Sequence, residues 1–79
     1  MIKNMLREVK VDSVYRHFKG ITVQVIALAK DSTTLDDVVV YQHTDTNEYW
    51  VRSLDEFLSK VDKEKYPDID QEYRFEEIE

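Results

Sequence analysis

Residues 14–30 read Val14-Tyr15-Arg16-His17-Phe18-Lys19-Gly20-Ile21-Thr22-Val23-Gln24-Val25-Ile26-Ala27-Leu28-Ala29-Lys30, and this stretch decides the fold. Val14 to Phe18 is rich in β-prone residues and closes on Lys19-Gly20, the chain's single glycine. A lone glycine between two β-prone runs supplies the positive φ that a hairpin turn requires. In the second run Ile21, Val23, Val25, Ala27 and Ala29 alternate, so they are expected on one face of a strand, with Ile26 and Leu28 on the other near its end. A strand apolar on both faces is bent into a barrel or covered on its second side.

Working outward, Asp31-Ser32-Thr33-Thr34 is a turn whose side chains bond their own backbone. Thr34 with Asp37 three residues on suggests a brief helical turn. Val38 to His43 is the strongest strand, Thr44 to Glu48 a polar hairpin loop, and Tyr49 to Arg52 the returning strand. Ser53 followed by Glu56 is a capping box, and Leu54, Phe57, Leu58 and Val61 form an apolar stripe, predicting a helix over Ser53–Val61. Lys63 to Gln71 is charged and holds Pro67, as a linker or Ω-like loop does. Tyr73 to Ile78 reads as a last strand. At the other end Ile2, Met5, Leu6 and Val9 mark a short amphipathic helix within residues 1–10. The expected fold is therefore a β-dominated α+β domain, either a small antiparallel sheet or an SH3-like open barrel.

At 79 residues the chain has room for one domain, with residues 63–79 as an acidic, partly ordered tail. A domain this short buries about 60% of its unfolded surface and is marginally stable. Hydrophobic residues make up 42% and charged residues 35%, which excludes a disordered or low-complexity chain. There is no cysteine, hence no disulfide framework, zinc finger or thiol nucleophile, and the expected location is cytoplasmic. No run approaches the roughly 20 apolar residues that span a bilayer, and the N-terminus lacks the apolar core of a signal peptide. The net charge of −6 lies in the second half, because residues 1–40 carry +1 and residues 41–79 carry −7. That balance argues against nucleic acid as a partner, while leaving a local basic face in the first half.

Tyr15-Arg16-His17-Phe18-Lys19-Gly20, Val39-Val40-Tyr41-Gln42, and Trp50-Val51-Arg52 with Phe57 downstream together form a signature. In order and spacing, over about residues 9–60, the chain resembles a small bacterial family catalogued as domain of unknown function 1653. That family carries Y-x-H-[FY]-K-G, then V-V-Y, then W-V-R before a Phe. The chain departs from the pattern at Val11-Asp12-Ser13, where Pro-Gly is frequent, at Ser32-Thr33-Thr34, where a Glu is missing, and at Ser53, where Pro is usual. The missing Glu weakens any case for a catalytic carboxylate in that loop. The resemblance implies no activity, substrate or cofactor, since the family has none assigned.

In extended geometry Tyr15, His17 and Lys19 project to one face, Arg16 and Phe18 to the other, and Arg52 shares its face with Trp50. If the two strands meet on that face, Tyr15, His17, Lys19, Tyr41, Trp50 and Arg52 form a candidate ligand site. Lys and Arg suit phosphate or carboxylate, and Trp suits a base or a cation. The packing alternative has His17 bonded to backbone, Trp50 in the core and Arg52 paired with a surface acid. No nucleophile motif surrounds the hydroxyls of Ser32, Thr33 and Thr34, and Asp68-x-Asp70-x-Glu72 runs into Tyr73 where a calcium loop needs Gly. The chain is therefore expected to be a non-catalytic module without metal or cofactor, a monomer or weak homodimer. Its expected partner is a protein or peptide along an edge strand or aromatic groove, or alternatively a small anion or nucleotide phosphate.

Overall fold

The computed structural model describes residues 8–78. Among these residues five strands follow in chain order, β1 (Val14–His17), β2 (Thr22–Lys30), β3 (Asp37–His43), β4 (Tyr49–Ser53) and β5 (Phe75–Glu77), with one helix, α1 (Leu54–Phe57), between β4 and β5. They form a single antiparallel sheet in the order β4-β3-β2-β1-β5. β4 and β5 are its two edges, so the sheet is open.

The turns draw on glycine, Asx and hydroxyl chemistry, although Leu35, at φ 66°, takes the left-handed conformation between β2 and β3. Gly20, at φ 98°, donates its N–H to the His17 carbonyl at 2.7 Å and closes the β1–β2 hairpin. Between β2 and β3 the Asp31 carboxylate accepts the N–H groups of Thr33 at 2.8 Å and Thr34 at 3.1 Å, and these two bonds hold its carboxyl below the usual range. Thr34 accepts the N–H of Asp36, and Asp37 already belongs to β3, so no helical turn starts at Thr34. Asn47, at φ 64°, turns β3 into β4.

The alternation in β2 breaks at a bulge. The β2–β3 register runs Val23↔His43 and Val25↔Tyr41, then resumes at Ala27↔Val40 and Leu28↔Val39. Val23, Val25 and Leu28 thus share a face with Val39 and Tyr41, whereas Ala27 and Ala29 turn to the other side. The even spacing of the sequence pattern misses this, because a bulge adds one residue and reverses every later side chain.

The expected helix over Ser53–Val61 is a single turn. The Ser53 hydroxyl does accept the Glu56 N–H, at 3.1 Å, as the capping box requires. Beyond Leu58 the backbone is used in pairing: Arg74 N–H donates to the Ser59 carbonyl and Val61 N–H to the Glu72 carbonyl, both at 2.8 Å. These bonds, with the Lys60↔Tyr73 bridge, draw together the ends of the 60–73 loop. Within it the Lys63 ammonium donates to the carbonyls of Ile69 and Gln71, and the Gln71 amide donates to the Arg16 carbonyl at 2.9 Å, fastening the loop to β1. The expected N-terminal helix falls chiefly on residues 1–7, outside the described residues, and residues 8–10 are not helical.

The core lies on one face of the sheet. Tyr15, Val23, Val25, Val39, Tyr41, Phe57 and Phe75 are buried together, with Val9 and Leu54 packed against them. The Phe57 and Phe75 rings stack at 4.2 Å, and Tyr41 and Tyr15 abut the Phe57 ring at 5.8 and 5.3 Å. Aromatic rings fill this small core, giving large apolar area from few residues.

Candidate functional site

The end of β1, the turn after it, β4, the 60–73 loop and the residue before β5 converge on one cleft of about 330 Å³, lined by His17, Phe18, Lys19, Arg52, Asp62, Lys65, Tyr66 and Arg74 among others. Four of these side chains are cationic, in a chain whose net charge is −6. They come from four separate segments, so the sheet and its long loop gather them.

Both arginines are hydrogen-bonded to the fold, and both lysines lie against one ring. Arg52 projects from the core face of β4, because its register partner is the buried Val39. Its guanidinium lies over the Phe75 ring at 5.7 Å, donates through Nε to the Tyr41 hydroxyl at 3.4 Å, and approaches Glu56 at 3.6 Å. Arg74 donates through Nε to the Ser59 hydroxyl at 3.1 Å. The ammonium groups of Lys19 and Lys65 face the Tyr66 ring at 5.6 and 5.7 Å. Among the described residues, none of Lys19, Lys65 and Arg74 is in an ion pair. Asp62, the acid on the cleft, points an oxygen at the backbone N–H groups of Glu64 at 3.1 Å and Lys65 at 3.4 Å.

His17 occupies the middle. Its ring stacks on Phe18 at 4.5 Å and stands edge-on to Phe75 at 4.9 Å. Nδ1 accepts the Lys19 backbone N–H at 3.1 Å, which places the neutral ring's proton on Nε2. Burial, then the charges of Arg52, Arg74, Lys19 and His43, lower its pKa to about 4 from the ordinary 6.5. The unfolded chain accordingly takes up a proton between those values that the folded chain refuses. The stability due to neutral His17 is complete above pH 6.5 and is lost as pH falls toward 4.

Of the six residues singled out from sequence, His17, Lys19 and Arg52 meet at this cleft. Tyr15 and Tyr41 lie in the core, 2% and 3% exposed, and Tyr15 fastens the chain before β1 through its hydroxyl, which accepts the Lys10 N–H at 3.0 Å. Trp50 is in neither place: 47% exposed, it stacks on His43 at 5.3 Å. Phe18, read as pointing away from His17, lines the cleft beside it, because β1 ends at His17 and Phe18 belongs to the turn. Arg74, Lys65 and Tyr66 went unread. Lys65 and Tyr66 sit in a charged loop without periodicity, and only the coupling of an aromatic to a lysine ahead of Pro67 marks them. Arg74 carries no local signal.

In comparisons with known proteins, the family described as "Protein of unknown function (DUF1653)" matches residues 13–77, most of the chain, and the chain belongs to that family. Among curated proteins and among solved structures, none matches. No helix among the described residues is long and apolar enough to cross a membrane.

Proposed function

We propose that this member of the DUF1653 family is a non-catalytic binding module that holds a small anion, a phosphate or phosphomonoester, in the cleft around His17. The observation carrying this reading is the gathering of Lys19, Arg52, Lys65 and Arg74 on one cleft of an acidic chain. Like charges repel, so such a cluster is favoured when an anion lies among them. Arg52 and Arg74 offer planar forks suited to two oxygens, Lys19 and Lys65 offer mobile point charges, and neutral His17 offers one N–H donor. Phe18 and Tyr66 add apolar rings beside the charges, fitting a phosphate carried on an organic group. The frame is proposed to be an SH3-like open barrel. Support comes from the β1–β4 meander, the return of β5 onto β1, the single helical turn before β5 and the bulge that bends β2.

Titration with inorganic phosphate, followed by NMR, tests the reading. A bound anion stabilises imidazolium, so the His17 titration is expected to move upward from about 4 as the cleft saturates, with shifts confined to the cleft. A His17 titration unmoved by phosphate, and by a phosphomonoester, sinks it. A second reading, a protein or peptide partner docked along an edge strand, is favoured by the exposed Tyr49, Trp50 and Val51 of β4.

A further inference from the structure

The two edges of the sheet are built differently. β5 is three residues long, and two of the three, Glu76 and Glu77, are acids. Two copies of β5 paired about a two-fold axis through Glu76 would set carboxylate against carboxylate, which repels. β4 is five residues long, carries Arg52 as its one charge, and exposes Tyr49 (63%), Trp50 (47%) and Val51 (60%) in succession. A free edge of this kind, apolar but for one charge, is a template for another strand.

Its hydrogen-bonding phase follows from the hairpin. His43 N–H donates to the Glu48 carbonyl at 2.9 Å, so that pair is hydrogen-bonded. In an antiparallel ladder the pairs alternate, which makes Tyr41↔Trp50 and Val39↔Arg52 the bonded pairs and leaves Tyr49, Val51 and Ser53 with backbone groups directed outward. A two-fold axis through Val51 uses the whole strand. Val51 then bonds Val51 of the second copy, Tyr49 meets Ser53, and Trp50 stands opposite Arg52.

We propose that this chain forms a weak, symmetric homodimer by antiparallel pairing of β4 with β4 of a second copy, centred on Val51. The strand is complementary to itself in three ways. Its outward backbone groups are in phase, its single charge falls opposite an indole rather than a like charge, and the apolar row Ala27–Val40–Val51 continues across the axis into the same row of the other copy. The second copy is the occupant favoured over an unrelated peptide because it supplies this pattern without further assumption. A five-residue pairing falls below the roughly 1,200 Å² of a standard interface, so the dimer is weak and dissociates on dilution.

Position 51 faces itself, and that fixes the test. Sedimentation velocity on the wild-type chain, from micromolar to millimolar protein, should show a concentration-dependent dimer. Val51→Lys and Val51→Glu should each remain monomeric at every concentration, because like charges meet on the axis. An equimolar mixture of the two should recover a dimer, which also reports that both variants are folded. A wild-type chain monomeric at millimolar concentration overturns the proposal, whether or not it captures extended peptides. So does a Val51→Lys chain that dimerises like the wild type, or a mixture that stays monomeric.

Discussion

Two hollows of similar size lie on this small domain. One, of about 350 Å³, is lined by Leu35, Asp36, Asp37, Ser53, Leu54 and Asp55; the other is the cationic cleft of about 330 Å³. Two of the three acids of the first have local tasks: Asp37 pairs with Lys30 at 2.8 Å, and Asp55 sits in the first turn of α1, where a negative charge favours the helix. The cations of the second are drawn from distant parts of the chain, and among the described residues three of the four have no acid partner. Accumulated charge is therefore a poor guide to a site. Charge assembled from separate segments, with no local partner to explain it, is a better one.

That contrast can be broken at several levels. The largest expected effect is in the core beneath the cleft. Phe75 is 1% exposed, stacks on Phe57 and lies beneath both Arg52 and His17. Phe75→Ala should cost about 3–5 kcal/mol, enough to unfold much of a domain this size, read by denaturant titration. A loss below 1 kcal/mol would mean that the aromatic stack does not support the site.

Next in size is the difference between the hollows themselves. Arg74→Ala should weaken inorganic phosphate binding by about 1.5–3 kcal/mol, roughly 10- to 150-fold, because it removes a charged donor. Asp55→Ala, in the acidic hollow, should leave phosphate affinity within a factor of about two, since the two charges are not in contact. Calorimetry on both variants sharpens the comparison, and equal effects would erase it. The smallest effect is at the cap beside the acidic hollow. Ser53→Ala removes the acceptor of the Glu56 N–H and should cost about 1 kcal/mol, lowering Tm by roughly 4–8 °C. An unchanged Tm would show that the helical turn needs no cap.

Elements are legible in the sequence where local chemistry is strong. Gly20 placed the first hairpin, Val38 to His43 placed β3, and Ser53 with Glu56 placed the helix start. The length of that helix is not legible: the stripe Leu54, Phe57, Leu58, Val61 fits a helix, and Val61 is indeed buried, at 6% exposure. It reaches the interior from an extended backbone paired with Glu72, a contact between residues eleven apart in the chain. Periodicity cannot separate two backbones that bury the same residue.

By itself the sequence determined the strands, the Gly20 turn and the nearness of His17 and Lys19 beside it, because propensity, turn chemistry and alternation act over a few residues. It also determined that Trp50 and Arg52 share a face, since strand geometry has a fixed period of two. Only the tertiary structure decided which of these side chains meet. The bulge after Val25 reversed the face of the later β2 residues, and the bonds from Ser59 and Val61 to residues 72–74 closed the long loop. That closure carried Lys65, Tyr66 and Arg74 to His17 while Trp50 stayed outside. Such contacts join residues tens of positions apart, and their free energy comes from burying the shared aromatic core, which no local window of sequence contains.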